Sequence, residues 1–416
     1  MVDVWLPYGK TEICARIPTE NLQDNIGVRE RTGVENPVNE IRRAIRNPFG
    51  LERLADKVKM GNKVAVAMNI LDMKMAETVA ALLIEEITQS GLKSSDITVI
   101  FAYDPFRLGK NEYVAQLKNE ISSLGVNVVI HNPLSEDTYV GETDSGIKIH
   151  LNRAFVESDI RVVFSVIEPN PYTLYRWGGY EIALGLSNIK TIEGILMLAL
   201  NFDNISENIH KSIIEVSKKT EDNFSISIVR NMRGEVIRAF AGDMEKTFYE
   251  EIKIADAIYK AQAEKRADIV FVSPGGAPFD ATIFDSCGCL ENALKITKRD
   301  GKIVLVAECS EGYGNQEFYR AISRFKNDLS SLEKLLRKRF SIGGFVSYRF
   351  LRALKRANIM MVSAVPDYYV SGIQGLKIFR TATEALKYAL EETGKKARVS
   401  VIPYGNHVIL SVKEAE

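Results

Sequence analysis

Two glycine-rich loops in the second half of the chain have the composition of a ligand-binding site. One follows the apolar run at 269–273, and the other follows the apolar run at 303–307. Near-continuous aliphatic residues in both runs predict strands buried on both faces of a parallel sheet, and ligands bind at the carboxyl ends of such strands. Glycine also allows a ligand to approach the backbone closely. We therefore predict that five loop residues bind a cofactor: Gly275, Gly276, Asp280, Glu308 and Gly312.

The first half of the chain carries side chains suited to gripping an anion and to acid–base work. Arg107 follows a predicted strand at 96–104, and a guanidinium binds a carboxylate or phosphate through two parallel hydrogen bonds. Glu168 and Glu181 flank a loop rich in aromatic residues, where two carboxyl groups can differ in pKa and act as acid and base. We predict that these three residues are catalytic. The structural alternatives are a loop-fixing salt bridge for Arg107, a loop cap for Glu168 and an exposed position for Glu181.

Two further loops of the first half supply predicted cofactor contacts. Asn69 ends the predicted strand at 63–69, and Asp72 follows it. Gly178 and Gly179 form a pair inside the loop between the two glutamates. All four residues are predicted to contact a cofactor.

Three cysteines form an alternative constellation. Cys287, Cys289 and Cys309 would offer three thiolates to zinc if their loops converge. The Cys-x-Cys spacing lacks the usual two-residue gap, however, and a free cysteine commonly packs as a small buried apolar group. We predict no metal ligand among the residues of this chain.

The composition excludes several classes of partner. The 416 residues include 54 basic and 54 acidic side chains, a balance that argues against a nucleic-acid or anionic-membrane surface. The basic residues at 334–339 have the spacing of the solvated face of an amphipathic helix. The longest apolar stretch, at 194–200, falls far short of the roughly 20 residues of a membrane span. Four cysteines and the lack of a signal-peptide pattern lead us to expect a cytoplasmic protein.

Alternating strand and helix patterns indicate the α/β class, with two lobes of mainly parallel, doubly wound sheets and an interlobe cleft. A hairpin is predicted at 2–18, and helices are predicted at 39–57 and 251–266. We place an N-terminal domain at 1–265 and a C-terminal domain at 266–416, with a last strand able to pack back on the first lobe.

Several motifs together resemble the nickel-dependent lactate racemase family. They are Leu-Pro-Tyr-Gly-Lys at 6–10, Gly-Gly-Ala-Pro-Phe-Asp at 275–280, Ala-Glu-Cys-Ser-Glu-Gly at 307–312, and Glu-Pro at 168–169 followed by the glycine pair. The resemblance runs from residue 6 to about residue 405. It implies an isomerase with two α/β lobes that acts on 2-hydroxy acids. The family's cofactor is a nickel-pincer nucleotide tethered to a lysine; one histidine binds the nickel, and two others serve as acid and base.

The chain departs from the family's motifs at the positions of the histidines and of the tethering lysine. Phe106 stands at a histidine position, although Arg107 beside it is retained. Asn170 and Pro171 replace a second histidine, and Glu181 stands where the family carries the tethering lysine. A carboxylate cannot form the tether, so we predict that the nickel-pincer chemistry is lost. None of the four histidines lies at a family loop position: His131, His150, His210 and His407.

Three functions remain open from the sequence. The family resemblance implies a racemase or epimerase of 2-hydroxy acids. The departures favour instead a divergent enzyme that uses the carboxylates and Arg107 on a small acidic or phosphorylated substrate, or a non-catalytic ligand-binding protein. In each case the expected partner is a small molecule in the interlobe cleft, with no nucleic acid and no membrane. The cofactor and the oligomeric state stay open.

Overall fold

The computed structural model describes residues 1–70, 72–107, 111–221, 223–326, 328–371, 373 and 375–413. The chain forms two compact units. The middle unit contains Glu30–Glu168 and Thr173–Ile258. The terminal unit contains Met1–Arg29, Pro169–Tyr172 and Tyr259–Glu416, and so includes both ends of the chain. The predicted boundary near residue 265 stays a prediction.

The strands lie in chain order as follows: β1 Val2–Tyr8, β2 Thr11–Ile17, β3 Leu22–Asn25, β4 Val64–Met68, β5 Ile97–Phe101, β6 Asn127–Ile130, β7 Asp137–Glu142, β8 Lys148–Asn152, β9 Ile160–Asn170, β10 Leu174–Arg176, β11 Phe224–Arg230, β12 Val236–Asp243, β13 Lys260–Ala263, β14 Ala267–Val272, β15 Thr297–Val306, β16 Asn358–Val362, β17 Lys377–Phe379, β18 Val399–Ile402 and β19 Ile409–Val412.

The α-helices are α1 Pro37–Arg46, α2 Leu54–Lys57, α3 Met73–Thr88, α4 Asn111–Ser122, α5 Arg153–Val156, α6 Gly178–Tyr180, α7 Ile189–Ala199, α8 Ile205–Ser217, α9 Met244–Tyr259, α10 Ile283–Ser286, α11 Cys289–Ile296, α12 Gln316–Phe325, α13 Leu329–Lys338, α14 Ile342–Arg356, α15 Asp367–Val370 and α16 Ala382–Thr393. A 3₁₀ turn covers Ser94–Asp96, and a π-helical turn covers Glu181–Gly185.

A seven-stranded sheet forms the middle unit, in the order β12-β11-β9-β4-β5-β6 with β10 beside β9. All neighbours from β11 to β6 are parallel, and β12 is antiparallel to β11. Every residue of β4 is buried, as its Val-Ala-Val-Ala-Met sequence predicts. The carboxyl ends of β4, β5, β9 and β11 therefore lie on the same edge of this sheet.

A six-stranded, wholly parallel sheet forms the terminal unit, in the order β17-β16-β15-β14-β18-β3. The β1–β2 hairpin buries Val4 and Leu6 in the same core as Phe271 of β14. The predicted hairpin and the mainly parallel α/β class are thus confirmed. Among the described residues, no helix has both the length and the apolar composition that crossing a bilayer requires.

Two predicted helices are wrong in part. The helix predicted at 39–57 is interrupted after Arg46, because Pro48 disfavours helical geometry at Asn47. The helix predicted at 251–266 ends at Tyr259, and the chain continues into β13. Strand β13 pairs with β19, nearly 150 residues further along the chain, and a local helical pattern contains no sign of that partner.

Candidate functional site

Polar side chains from separate elements gather at the carboxyl edge of the middle-unit sheet. Asn69 follows β4, Asp104 and Arg107 follow β5, and Glu168 lies in β9 while Arg230 ends β11. This edge is where open parallel sheets bind their ligands. The side chains form two groups, which we name the inner cluster and the outer row.

The inner cluster consists of Asn69, Asp104, Arg176, Tyr180 and Glu181. The Arg176 guanidinium lies 2.7 Å from Oδ2 of Asp104 and 3.3 Å from Oε1 of Glu181. The Asn69 amide donates to the same Glu181 oxygen at 2.8 Å, and the Tyr180 hydroxyl donates to Asp104 at 3.1 Å. One cation therefore joins two carboxyl groups, and neutral donors complete part of their hydrogen bonding.

The inner cluster is largely closed to solvent, and Asp104, at 10% exposed, is its most open side chain. The Arg176 side chain is 3% exposed, and Glu181 has no exposed surface. Among the described residues, neither Oε2 of Glu181 nor Nε of Arg176 has a hydrogen-bond partner. A buried polar atom without a partner costs free energy, so these two atoms lower the stability of the fold. The alternative of an exposed Glu181 is wrong.

The π-helical turn Glu181–Gly185 directs Glu181 inward, and such turns are frequent at functional sites. Gly185 closes the turn against the cluster. A Cβ at this position would lie 2.9 Å from Cβ of Ala102 and 3.2 Å from Oε2 of Glu181, so only glycine fits without displacement. The close packing around the carboxyl group explains why Glu181 has no access to solvent.

Burial and charge act in opposite directions on the two carboxyl groups. Burial raises the pKa of Glu181 above its ordinary value, and Arg176 and Asn69 offset only part of that rise. Burial also opposes ionisation of Asp104, but Arg176 and Arg107 hold the pKa of Asp104 below its ordinary value. Carboxyl groups with divergent pKa values suit opposite roles in proton chemistry.

The outer row consists of Asp72, Arg230, Glu168 and Arg107, in that order. Arg230 lies 2.5 Å from Oδ2 of Asp72 and 3.7 Å from Oε2 of Glu168. Arg107 lies 3.6 Å from the other oxygen of Glu168. The side chains are 32%, 16%, 10% and 28% exposed in row order, so the row reaches solvent mainly through Asp72 and Arg107 at its two ends. Asp72 also caps α3, because its Oδ1 accepts from the backbone N–H of Met75 at 3.1 Å.

The predicted loops of the terminal unit meet at the tip of the β1–β2 hairpin. Oδ2 of the fully buried Asp280 accepts from the backbone N–H of Gly9 at 2.7 Å and from that of Glu308 at 3.2 Å. Glycine is favoured at position 9, where φ is +54° and a Cβ would displace the Glu308 carboxylate. Burial and Glu308 raise the pKa of Tyr8 to about 12.

The remaining glycines of these loops also adopt backbone angles that favour glycine. Gly275, Gly276 and Gly312 have φ values of +124°, +74° and +75°. Gly275 faces the ring of His407, and Gly312 faces the ring of Tyr369. Their predicted contact with a cofactor stays a prediction, as it does for Asp280 and Glu308.

The glycine pair of the middle unit makes close contacts within the fold. A Cβ at Gly178 would lie 3.1 Å from Sδ of Met244, and one at Gly179 would overlap the indole of Trp177. These contacts account for both glycines without a ligand, and a role in cofactor binding remains a prediction.

Cys287, Cys289 and Cys309 are all buried. Burial raises the pKa of each thiol, to about 12 for Cys309 and well above the ordinary value for the other two. In the part of the chain that the structure describes, no three His, Cys, Asp or Glu side chains are grouped so as to hold a metal ion.

The predicted residues at this edge lie beside several side chains that were not predicted, and Glu168, predicted at the start of a loop, lies within β9. Asn69 and Glu181 come together in the inner cluster, and Asp72, Arg107 and Glu168 come together in the outer row. The side chains outside the predicted set are Asp104, Arg176, Tyr180 and Arg230. The signal for Arg230 was available, because it is the first charged residue after the apolar alternation at 224–229.

Comparisons with known proteins identify lactate racemases as relatives over nearly the whole chain. The family models of the lactate racemase N-terminal domain and the lactate racemase C-terminal domain match residues 8–204 and 262–410. The lactate racemase of Thermoanaerobacterium thermosaccharolyticum is 25% identical over 99% of this chain and 100% of its own length. The lactate racemase of Lactiplantibacillus plantarum is 23% identical over the same shares.

Solved structures give the same result. The lactate racemase apoprotein from Thermoanaerobacterium thermosaccharolyticum has a TM-score of 0.88 and 25% identity, covering 98% of this chain and 100% of that one. A Thermotoga maritima protein has a TM-score of 0.61 at 13% identity, covering 92% of this chain and 100% of that one, which supports the fold alone. The predicted resemblance is confirmed, and the chain belongs to the lactate racemase family.

Proposed function

We propose that this chain binds a small 2-hydroxy acid at the outer row and does not use a lysine-tethered nickel cofactor. The observation that carries the first part is the adjacency of Arg107 and Glu168 at the carboxyl edge of the sheet, where their side chains are 28% and 10% exposed. Arg107 suits the ligand carboxylate, which it can grip with two hydrogen bonds. Glu168, 3.6 Å away, suits the ligand hydroxyl as an acceptor. The relatives named lactate racemases support a hydroxy acid as the ligand class.

The residues do not fit the family's cofactor. Glu181 takes the position of the tethering lysine, and its carboxyl group is buried against Asn69 and Arg176. A carboxyl group has no amine with which to form the thioamide tether. Phe106, at the position of a family histidine, is buried and has no atom that binds nickel. We therefore derive no step of the function through this group.

The experiment is production of the chain together with the enzymes that make the pincer nucleotide, with the Thermoanaerobacterium lactate racemase produced in parallel as a control. We expect the intact mass of this chain to equal that of its unmodified sequence, no stoichiometric nickel, and no interconversion of D- and L-lactate. A covalent mass increase on this chain would overturn the cofactor proposal whether or not racemisation is observed.

Ligand binding is tested separately by calorimetry with lactate and larger 2-hydroxy acids. Arg107→Ala removes hydrogen bonds to a charged group, which we expect to weaken binding by roughly ten- to a hundredfold. Arg153→Ala is the matched control, because Arg153 is an exposed arginine of the same unit that pairs with Glu136. Equal affinity of the Arg107→Ala variant and the wild type would reject the proposed binding mode.

A further inference from the structure

The outer row is longer than lactate needs. Under the proposed function, the carboxylate and the 2-hydroxyl of the ligand occupy Arg107 and Glu168. Two charged side chains, Arg230 and Asp72, continue the row beyond Glu168. The third carbon of lactate is a methyl group, which can neither donate nor accept a hydrogen bond.

A methyl group over Arg230 and Asp72 would displace water from both charges and replace none of its hydrogen bonds. That loss costs free energy, because a charge that a ligand removes from water requires a hydrogen bond in its place. A hydroxyl group fits the same place, because it accepts from a guanidinium and donates to a carboxylate at the same time. The 2.5 Å pairing of Arg230 with Asp72 presents a donor and an acceptor side by side, which is the arrangement that a hydroxyl can bridge.

The charge of the row argues against a second carboxylate. The row contains two guanidinium and two carboxylate groups, so it alternates in sign and sums to zero. A ligand with a carboxylate at its far end would place that charge close to Asp72, and like charges at short range are unfavourable. A neutral hydroxyl at the same end meets no such repulsion.

We propose that Arg230 and Asp72 extend the binding site and select a polyhydroxy acid, meaning a 2-hydroxy acid with further hydroxyl groups along its chain, over lactate. The inference rests on the proposed function and adds the class of ligand to it. Arg230 and Asp72 are the specificity-determining residues, and Arg107 and Glu168 hold the part that all 2-hydroxy acids share.

The experiment compares four probes by calorimetry: lactate, malate, gluconate and the neutral polyol sorbitol. We expect gluconate to bind at least tenfold more tightly than lactate, malate to bind no better than lactate, and sorbitol not to bind. The carboxylate requirement tests the role of Arg107, and the gluconate preference tests the rest of the row.

Two variants each remove one charge of the Arg230–Asp72 pair and are chosen to preserve the fold. Asp72→Asn keeps the cap of α3, because asparagine caps helices as well as aspartate does. Arg230→Met keeps most of the side-chain length and removes the charge. We expect each to weaken gluconate binding by about tenfold, the effect of one hydrogen bond to a charged group, and so to reduce the preference for gluconate over lactate. Arg233→Met is the control, since Arg233 is exposed and pairs with Glu30 outside the row.

The outcomes separate the two proposals. Lactate binding as tightly as gluconate, malate binding most tightly, or a gluconate preference that survives both variants would overturn the polyhydroxy-acid inference and leave 2-hydroxy-acid binding intact. No binding of any acid, or binding unaffected by Arg107→Ala, would overturn both. Circular dichroism of each variant confirms that a lost affinity is not a lost fold.

Discussion

Replacing Arg176 by methionine tests whether one buried cation stabilises the middle unit through two carboxyl groups. The change keeps the apolar stem of the side chain and removes the guanidinium, which lies 2.7 Å from Asp104 and 3.3 Å from Glu181. Glu181 then retains the neutral Asn69 amide, and Asp104 retains neutral donors together with the charge of Arg107. Removing one partner of a buried ion pair costs about 3–5 kcal/mol, because the other partner stays buried without compensation.

The assay follows the unfolding of the middle unit by itself. The chain has two tryptophans, the exposed Trp5 in the terminal unit and the buried Trp177 in the middle unit. In a Trp5→Phe background, the fluorescence of Trp177 during urea titration reports the unit that contains Arg176. Arg153→Met is the control, and an exposed ion pair contributes only about 0–1 kcal/mol to the free energy of unfolding.

The pH dependence gives a second readout of the same variant. Without Arg176, the pKa values of Asp104 and Glu181 in the folded state rise, because burial is no longer opposed by the cation. A carboxyl group with a raised folded-state pKa stabilises the fold at low pH and loses that contribution as pH rises through the folded-state value. The free energy of unfolding of Arg176→Met should therefore fall less far below that of the wild type at pH 5 than at pH 7. A deficit below about 1 kcal/mol at pH 7, or one that is constant with pH, would refute the reasoning.

Three further predictions concern other buried groups and one turn. Burial raises the pKa of Glu251 from 4.5 to about 7, so Glu251→Gln should match the wild type in stability below pH 5 and exceed it by roughly 3 kcal/mol well above pH 7, as measured by urea unfolding at several pH values. A wild-type stability that does not fall relative to the variant as pH rises would contradict this. Gly9→Ala should lower the melting temperature more than Gly61→Ala, because both positions have positive φ but only Gly9 faces an obstacle, the Glu308 carboxylate; equal effects would show that the overlap is relieved freely. Thiol titration of the native protein should label Cys14 first and reach Cys287, Cys289 and Cys309 only on unfolding, since the latter three are buried with raised pKa values; rapid labelling of all four would contradict their burial.

The sequence predicted best the elements whose signal is local. Strands β4 and β14 were located to within two residues because their runs of valine, isoleucine and alanine are buried on both faces. Strand β13 was missed because β19, with which it pairs in the described part of the chain, follows it by nearly 150 residues. A short strand that depends on so distant a partner carries no periodic pattern of its own.

The candidate site shows the same difference between local signals and distant contacts. The positions of Arg107 and Glu168 could be predicted, because each lies near the carboxyl end of an apolar strand. Their partners could not be predicted, since Asp104 meets Arg176 across 72 residues of sequence and Asp280 meets the N–H of Gly9 across 271. Burial was misjudged for Glu181 because a lone glutamate is usually exposed, and only the contacts with Arg176 and Asn69 make a buried position tolerable.

The two groups of charges perform different tasks because they differ in exposure. In the inner cluster, Arg176 is held by Asp104 at 2.7 Å and by Glu181 at 3.3 Å. The outer row contains two guanidinium and two carboxylate groups, so its charges sum to zero. On the proposed function, a ligand anion is therefore held by the directed hydrogen bonds of Arg107 and not by an excess of positive charge. Salt screens a net field between exposed charges far more than a short hydrogen bond in a partly buried site, so this mode of binding requires an affinity that depends only weakly on ionic strength.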